Sequence, residues 1–243
     1  MGETDLFTES PLPLAISESL VPVRESKAAG TALLSLDGLL DPPLQIKEDL
    51  KEGCGGKLWP AGVVLAKYML RRHKSDLGGK TIVELGAGGG LVGLAVARGC
   101  SVDSPIYLTD QIPMLSLMQD NVQLNRLSDI VYPAVLDWGC EIPKTVPSDP
   151  AVILAADCVY FEPAFPLLLS TLEGLLASPH SVCYFCFKKR RRADLRFMKQ
   201  VRKLFEVVEV MDDPDQKVYS KQNIFLYTIR SRGEKGTKHN QRS

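Results

Sequence analysis

Short apolar runs alternate regularly with longer amphipathic runs through most of the chain. Apolar residues that recur at helical spacing indicate helices with one buried face, and short continuous apolar runs indicate buried strands. The pattern predicts strands at 81–85, 106–109, 131–136, 152–156 and 182–187, and helices at 91–98, 114–125, 164–176 and 193–204. Repeated strand–helix units require a mainly parallel sheet with helices on both faces, because each crossover helix must bury its apolar stripe.

The two ends of this alternation supply the remaining elements. Pro60 is well placed in the first turn of a helix that runs to about His73. Before that helix, short apolar groups at 32–36 and 44–47 predict one or two edge strands, separated by Asp41-Pro42-Pro43. At the end of the chain, strands at 207–211 and 224–229 are joined without a helix and predict an antiparallel hairpin at the sheet edge. The whole pattern predicts an α/β fold with a seven-stranded Rossmann-like sheet.

Length and charge favour one domain with no strongly charged partner. At 243 residues the chain is long enough for one sizeable α/β domain, which we expect to span residues 29–230. Residues 1–28 mix Pro, Ser and Glu without a sustained period and predict a loosely ordered arm, and the mostly basic residues 231–243 predict a disordered tail. Lys plus Arg equals Asp plus Glu at 29 each, so no overall charge favours nucleic acid or an anionic membrane.

Cysteine positions favour a cytoplasmic protein. The six cysteines lie mostly in apolar runs, and the one CxxC spacing, Cys183-Tyr-Phe-Cys186, lies within such a run. We expect both thiols to pack rather than to bind zinc or do redox chemistry, because no second Cys or His pair completes a metal site. The acidic N-terminus does not resemble a secretory signal, and no apolar stretch is long enough to span a membrane. Reduced thiols suit the cytoplasm.

A glycine-rich turn follows the first strand of the alternation. Glycines at 86, 88 and 90 let the backbone turn sharply and approach a ligand closely, and the helix that follows offers free N–H groups at its N-terminus. Gly88-x-Gly90-x-x-Gly93 also satisfies the dinucleotide-binding fingerprint, so an NAD-binding oxidoreductase competes at this point. The turn by itself favours a nucleotide-type ligand and leaves the cofactor open.

Two residues at the ends of the next strands extend this site. Asp110 ends the second strand, where a carboxylate can accept hydrogen bonds from both ribose hydroxyls; the alternative is a helix N-cap for the segment that begins at Gln111. Trp138 follows the third strand, where its ring can stack on adenine; the alternative is a buried Trp under a loop.

Three further segments carry a resemblance to a known family. They are Gly53-Cys-Gly-Gly-Lys-Leu-Trp-Pro-Ala-Gly62, Leu154-Ala-Ala-Asp-Cys-Val-Tyr-Phe-Glu-Pro-Ala-Phe-Pro166 and Phe187-Lys-Lys-Arg-Arg-Arg-Ala-Asp194. Together with Val83-Glu-Leu-Gly-Ala-Gly-Gly-Gly-Leu-Val-Gly93 they resemble methyltransferase family 16, the non-histone protein-lysine N-methyltransferases, and most closely its fungal members that modify translation elongation factor 1-alpha. The resemblance extends from about Asp41 to Arg230.

The resemblance implies a class I methyltransferase fold, S-adenosylmethionine as cofactor, and translation elongation factor 1-alpha as protein substrate. We expect a monomer with no direct contact with nucleic acid or membrane. A methyltransferase for a small amine stays open as an alternative, since its cofactor half would look identical, and so does an NAD-binding or non-catalytic Rossmann module. Glu84 matches the family's acidic position near the cofactor's amino group. The other implied cofactor-binding residues are Trp59 beside the cofactor, Gly86, Ala87 and Gly88 at its methionyl part, Asp110 at the ribose, and Trp138 and Ala156 on the adenine side.

The motif Asp157-Cys158-Val159-Tyr160 matches the family's D-x-x-Y motif at the catalytic face. A lysine amine must lose its proton before it can accept a methyl group, because its unperturbed pKa is about 10.4. We hypothesise that Asp157 holds and orients the target ammonium or amine, and that Tyr160 forms one aromatic wall of the channel. The structural alternatives are a helix cap ahead of Ala164 for Asp157 and a packing role for Tyr160.

One strong charge run, Lys188 to Arg192, follows the fifth strand. Such a run is found in nuclear-localisation signals and nucleic-acid patches. We expect instead a solvated strand end that faces an acidic partner and helps to dock a protein substrate.

Overall fold

The computed structural model describes residues 30–49 and 56–232. The arm predicted for residues 1–28 lies outside the described residues, and so does the predicted tail apart from Ser231 and Arg232. Ser231 ends the last strand rather than beginning a tail. The other predictions for arm and tail stay predictions.

Nine strands and six α-helices make up the described chain. In chain order they are β1 (Thr31–Leu34), β2 (Leu44–Lys47), α1 (Pro60–Arg72), β3 (Ile82–Leu85), α2 (Leu91–Gly99), β4 (Ile106–Asp110), α3 (Ile112–Leu124), β5 (Val131–Val135), β6 (Val152–Ala156), α4 (Phe165–Leu175), β7 (Val182–Lys188), α5 (Arg192–Leu204), β8 (Phe205–Glu209), α6 (Gln216–Lys221) and β9 (Ile224–Ser231). Within the described ranges, no helix is long and apolar enough to cross a membrane.

Seven strands form one sheet in the order β5-β4-β3-β6-β7-β9-β8. The pairs β5–β4, β4–β3, β3–β6 and β6–β7 are parallel, and β9 is antiparallel to both of its neighbours. The chain therefore extends the sheet in one direction from β3 to β5 and then in the other from β6, which makes the β3–β6 boundary the topological switch point. The predicted seven-stranded, mainly parallel sheet is confirmed.

The last two strands pair as predicted but are connected and placed differently. They are antiparallel to each other, yet the short helix α6 joins them, where the prediction had no helix. The strand β9 lies between β7 and β8, so only β8 is at the edge. Asp215 and the residues before it read as a turn, and a helix of one to two turns is too short for its apolar period to show in the sequence.

The first two strands form a separate two-stranded antiparallel sheet instead of edge strands of the large one. The free edge of β2 is closed by two asparagines, Asn121 of α3 and Asn125 at its C-cap. Asn121 Oδ1 accepts a hydrogen bond from the Lys47 N–H at 2.8 Å, and Asn125 Oδ1 accepts one from the Gln45 N–H at 3.0 Å. Their amide groups donate back to the carbonyls of the same two residues. Two side chains thus replace a neighbouring strand.

The core lies on both faces of the large sheet. Buried residues of α1, α2 and α3 pack on one face, and those of α4 and α5 pack on the other. Cys186 belongs to the first layer and Cys183 to the second, because residues three apart on a strand point to opposite faces. The CxxC thiols are both fully buried, and burial raises the pKa of each, which confirms that they pack.

Candidate active site

The predicted site residues gather at the carboxyl ends of the parallel strands, beside the switch point. The glycine turn follows β3, Asp110 ends β4, and Asp157 follows β6, the neighbour of β3 on its other side. Ligands of open α/β sheets bind at this edge, because the chain leaves the two strands toward opposite faces of the sheet, to α2 after β3 and to α4 after β6, and a crevice remains between the connections. The order of the strands therefore brings together residues that are far apart in the sequence.

The turn after β3 needs glycine for both its backbone and its surroundings. Gly86, Gly88 and Gly90 have φ of 60°, 55° and 82°, in the left-handed region that favours glycine. A Cβ on Gly86 would lie 3.0 Å from the Trp138 ring and 3.2 Å from the Cys158 sulfur. Only glycine fits here without displacing those side chains, and the indole of Trp138 therefore lies directly against the turn.

Asp110 links the glycine turn to the end of β4 through hydrogen bonds. Its Oδ2 accepts a hydrogen bond from the Gly88 N–H at 2.8 Å, and its Oδ1 accepts one from the Gln111 N–H at 2.7 Å. Burial raises the pKa of this carboxyl, although both N–H groups oppose that shift. The N-cap of α3 is Gln111, so the alternative of Asp110 as the N-cap is wrong. The carboxylate stands at the strand end with lone pairs left for hydroxyl donors.

Glu84 is buried beneath the turn and bonds to the first turn of α2. Its Oε2 accepts a hydrogen bond from the Gly93 N–H at 2.7 Å, and the Val92 N–H also contacts the carboxyl. The N-cap of α2 is Gly90, which has no side chain, so Glu84 caps the helix from the neighbouring strand. Burial raises the pKa of Glu84 to about 8, with the nearby Asp110 adding to the shift.

We expect Glu84→Gln to remove a pH dependence of stability. With a pKa of about 8 in the folded chain against an ordinary 4.5, Glu84 keeps its proton where the unfolded chain releases it. Its stabilising contribution is complete below pH 4.5 and is lost as the pH rises through 8. In urea unfolding, the stability of wild type relative to the variant should fall over this window and stay constant above it. The same substitution at exposed Glu173 is the control, and a difference that does not vary with pH would contradict the prediction.

The Asp157 carboxylate is already paired. Arg190 donates two parallel hydrogen bonds to it, Nη1 to Oδ1 and Nη2 to Oδ2, both at 3.0 Å, and the Lys188 N–H donates a third to Oδ1 at 3.0 Å. Asp157 has a left-handed φ of 55°, a conformation that Asp tolerates better than most residues but still at a cost. Its side chain is 4% exposed. The α4 segment is capped by Ala164, so the alternative of Asp157 as its cap is wrong.

Arg190 was missed as a site residue. The predicted solvated strand end is confirmed in that Arg190, Arg191 and Arg192 are exposed. The Arg190 guanidinium nevertheless bonds to the buried Asp157 and lies 5.4 Å from the centroid of the Trp59 ring. Its backbone N–H donates to Asp194 Oδ2 at 2.7 Å, which fixes the loop between β7 and α5. A signal was available in the sequence: β6 and β7 are parallel neighbours, so the residues that follow them, Asp157 and the basic run, meet at one edge.

Tyr160 lies at the rim rather than in the core. Its side chain is 61% exposed, and the adjacent Phe161 is 56% exposed. The Tyr160 carbonyl accepts a hydrogen bond from the Arg191 guanidinium, which anchors the loop after β6 to the start of α5. A packing role for the Tyr160 ring does not fit this exposure.

The two tryptophans and Ala156 surround the crevice from different sides. Trp59 is the N-cap of α1, and Ala156 ends β6 on the sheet face that α1 covers. Trp138 packs toward the opposite face, against the α4 layer.

A cavity of about 400 Å³ lies beside the first turns of α3, two residues beyond Asp110. Apolar side chains line it together with charged ones from β2, from the second residue after β2 and from α3. The lining residues are Lys47, Asp49, Ile112, Pro113, Met114, Ser116, Leu117 and Asp120. In residues 30–49 and 56–232, no group of three or more His, Cys, Asp or Glu is arranged to hold a metal ion.

Comparison with known proteins gives similarity over most of the chain. The model of a family described as lysine methyltransferase matches residues 39–204. Protein-lysine N-methyltransferase EFM6 of Saccharomyces cerevisiae is 35% identical over 233 residues, which cover 86% of this chain and 95% of that protein. The EEF1A lysine methyltransferase 3 of Mus musculus is 33% identical over 184 residues, with 74% of each chain covered. A solved transferase of Pyrococcus horikoshii has a TM-score of 0.52 at 15% identity, covering 84% of this chain and 71% of that one, and shows likeness of fold.

Proposed function

The chain belongs to the lysine methyltransferase family, and we propose that it transfers a methyl group from S-adenosylmethionine to a lysine side chain of a protein. The observation that carries the proposal is the bond between the Asp110 carboxylate and the Gly88 N–H at the switch point, with paired Asp157 across the crevice. This arrangement offers a carboxylate that can accept hydrogen bonds from a ribose and a backbone that the cofactor can approach closely. Across the same crevice lies what we call the acceptor end, the residues after β6 that would hold the lysine that accepts the methyl group.

The proposed cofactor contacts divide by the part of the molecule that they hold. S-adenosylmethionine supplies an activated methyl group, and the protein supplies alignment and exclusion of water. Asp110 accepts hydrogen bonds from the ribose hydroxyls through its remaining lone pairs. The other proposed contacts are Gly86, Ala87, Gly88 and Glu84 at the methionyl end and Trp59, Trp138 and Ala156 along the sides. Glu84 acts there through the helix that it caps, since its carboxyl bonds to the Gly93 N–H.

Asp157 and Tyr160 are the proposed residues of the acceptor end. Both follow β6, and the exposed Tyr160 ring at the rim is placed to form a wall that the aliphatic part of a lysine can pass along. Asp157 orients the amine by accepting a hydrogen bond at a carboxylate that its neighbours hold in one position. The positively charged sulfonium and a water-poor channel lower the pKa of the incoming lysine.

The proposed substrate is translation elongation factor 1-alpha. One similar protein is named an EEF1A lysine methyltransferase, and this chain covers 74% of it. We propose that the enzyme acts as a monomer in the cytoplasm. The five cysteines of the described residues are all unpaired thiols, which suits a reducing compartment.

A ligand-binding measurement tests the cofactor. S-adenosylhomocysteine should raise the melting temperature of the purified protein, because a ligand that binds only the folded state stabilises it by mass action. NAD at the same concentration should leave it unchanged. Stabilisation by NAD alone would refute S-adenosylmethionine as the cofactor.

Substitutions after β6 test the acceptor end. Asp157→Asn keeps the shape and the left-handed backbone but loses the charge, and Tyr160→Ala removes the ring. We expect each to lower turnover roughly 100-fold, measured as tritiated methyl groups in precipitated protein, with S-adenosylhomocysteine affinity unchanged. Asp129→Asn, at an exposed aspartate away from the crevice, is the control. Wild-type turnover in both variants would refute these two assignments.

A further inference from the structure

The carboxylate at the acceptor end forms a neutral pair instead of standing alone. Two parallel hydrogen bonds at 3.0 Å join Arg190 to Asp157, in the fork geometry that gives arginine–carboxylate pairs their strength. The carboxylate half of the pair is shielded from water, with the Asp157 side chain 4% exposed, whereas Arg190 lies at the surface with 29% of its side chain exposed. Arg190 also donates to the Lys188 carbonyl at 3.2 Å, so the guanidinium is held at three points.

We propose that Arg190 is a positioning residue that cancels the charge of Asp157 and so lets the substrate lysine enter as a neutral amine. This inference rests on the proposed function. An unpaired buried carboxylate beside the amine would favour the ammonium form and raise the pKa of the lysine. That form has no lone pair to accept a methyl group. A neutral pair still offers an Asp157 oxygen that can accept a hydrogen bond from the amine and orient it, but it does not stabilise the charge of the ammonium form.

Other charged and titratable groups surround the Asp157–Arg190 pair. From α5, Asp194 bonds the backbone N–H groups of Arg190 and Arg191, and the Arg191 side chain reaches the Tyr160 carbonyl and Asp194. Burial raises the pKa of the neighbouring thiols, which keeps them neutral. The remaining titratable groups on the elements around the pair are Lys57 before α1, Glu84 on β3, Asp110 on β4, Cys158 after β6, Cys186 and Lys188 on β7, and Asp213, which acts on Cys186.

Only an arginine can make the contacts of Arg190, whereas any cation at this position would cancel the charge of Asp157. A lysine at position 190 offers one ammonium in place of the planar fork that bonds both carboxylate oxygens and lies 5.4 Å from the centroid of the Trp59 ring. Arg190→Lys therefore preserves the neutral charge while it loosens the position of Asp157. Arg190→Gln removes the charge and leaves Asp157 an unpaired carboxylate. The two substitutions separate the electrostatic part of the role from the structural part.

The pH dependence of kcat is the first test, with recombinant elongation factor 1-alpha as substrate. In Arg190→Gln, the pH of half-maximal kcat should rise by about one unit, so that turnover near pH 7 falls about tenfold and recovers at alkaline pH. Arg190→Lys should keep the wild-type midpoint, and Arg192→Gln, at an exposed cation of the same run, should behave as wild type. A loss that is equal at every pH, or no loss, would overturn the inference.

A binding measurement tests the same point without a protein substrate. Sinefungin carries a protonated amine where S-adenosylmethionine carries its methyl sulfonium. The affinity of Arg190→Gln for sinefungin relative to S-adenosylhomocysteine should increase about tenfold over wild type, because the unpaired carboxylate attracts that cation. The increase should vanish in Asp157→Asn/Arg190→Gln. An unchanged ratio overturns the role of Arg190, whereas failure of wild type to bind either ligand refutes the proposed function itself.

Discussion

Gly86→Ala is expected to weaken S-adenosylhomocysteine binding about 100-fold, equivalent to about 2.8 kcal/mol. The new Cβ would lie 3.0 Å from the Trp138 ring and 3.2 Å from the Cys158 sulfur, so one of these or the turn itself must shift. The methyl group would also crowd the backbone where we propose that the cofactor approaches. Isothermal titration calorimetry of wild type and variant measures the loss.

The control for this prediction is another left-handed glycine. Gly79 has a φ of 68°, close to that of Gly86, and a Cβ there meets nothing within 4 Å. Both alanine variants should lose about 1–2 kcal/mol of stability from the backbone conformation. Only Gly86→Ala should lose binding. Equal affinities in the two variants would contradict the place assigned to the turn.

Asn121→Ala is expected to cost about 3 kcal/mol of unfolding free energy, because three partly buried backbone groups lose their hydrogen-bond partner. The Asn121 side chain accepts from the Lys47 N–H at 2.8 Å and donates to the Lys47 carbonyl at 3.1 Å. It also donates to the Gly89 carbonyl at 2.9 Å, so it ties the small sheet to the glycine turn. Urea unfolding of the two proteins gives the difference.

A neighbouring amide provides the comparison for Asn121. Gln123 is exposed on the same helix, and its replacement by Ala should change stability by less than about 0.5 kcal/mol. Asn121→Ala should in addition weaken S-adenosylhomocysteine binding several-fold, because Gly89 lies within the turn. A variant as stable as Gln123→Ala would show that β2 does not depend on this side chain.

The strand and helix positions could be predicted because they depend on local pattern. Each buried strand reads as a continuous apolar run, and β6 was placed at its observed bounds. The gathering of the glycine turn, Asp110 and Asp157 at one edge follows from parallel strands alone. The positive φ of Gly86 and Gly88 was likewise implied by residue type.

The partners of individual side chains could not be predicted in the same way. Glu84 caps α2, Asn121 replaces a strand beside β2, and Arg190 pairs with Asp157; each contact joins residues that only the tertiary fold brings together. Charge patterns in a sequence show where a cation is, and not whether it faces water or a buried carboxylate. For Arg190 this difference changes the chemistry of the acceptor end from a free carboxylate to a neutral pair.

The most direct test of the account is the identity of the atom that receives the methyl group. Purified protein is incubated with methyl-tritiated S-adenosylmethionine and an extract of cells that lack the enzyme, and the labelled band is digested and sequenced by mass spectrometry. We predict methylation of a lysine side-chain nitrogen in translation elongation factor 1-alpha, and strongly reduced labelling with Gly86→Ala at the same concentration. Label found only in a small amine or in nucleic acid would contradict it.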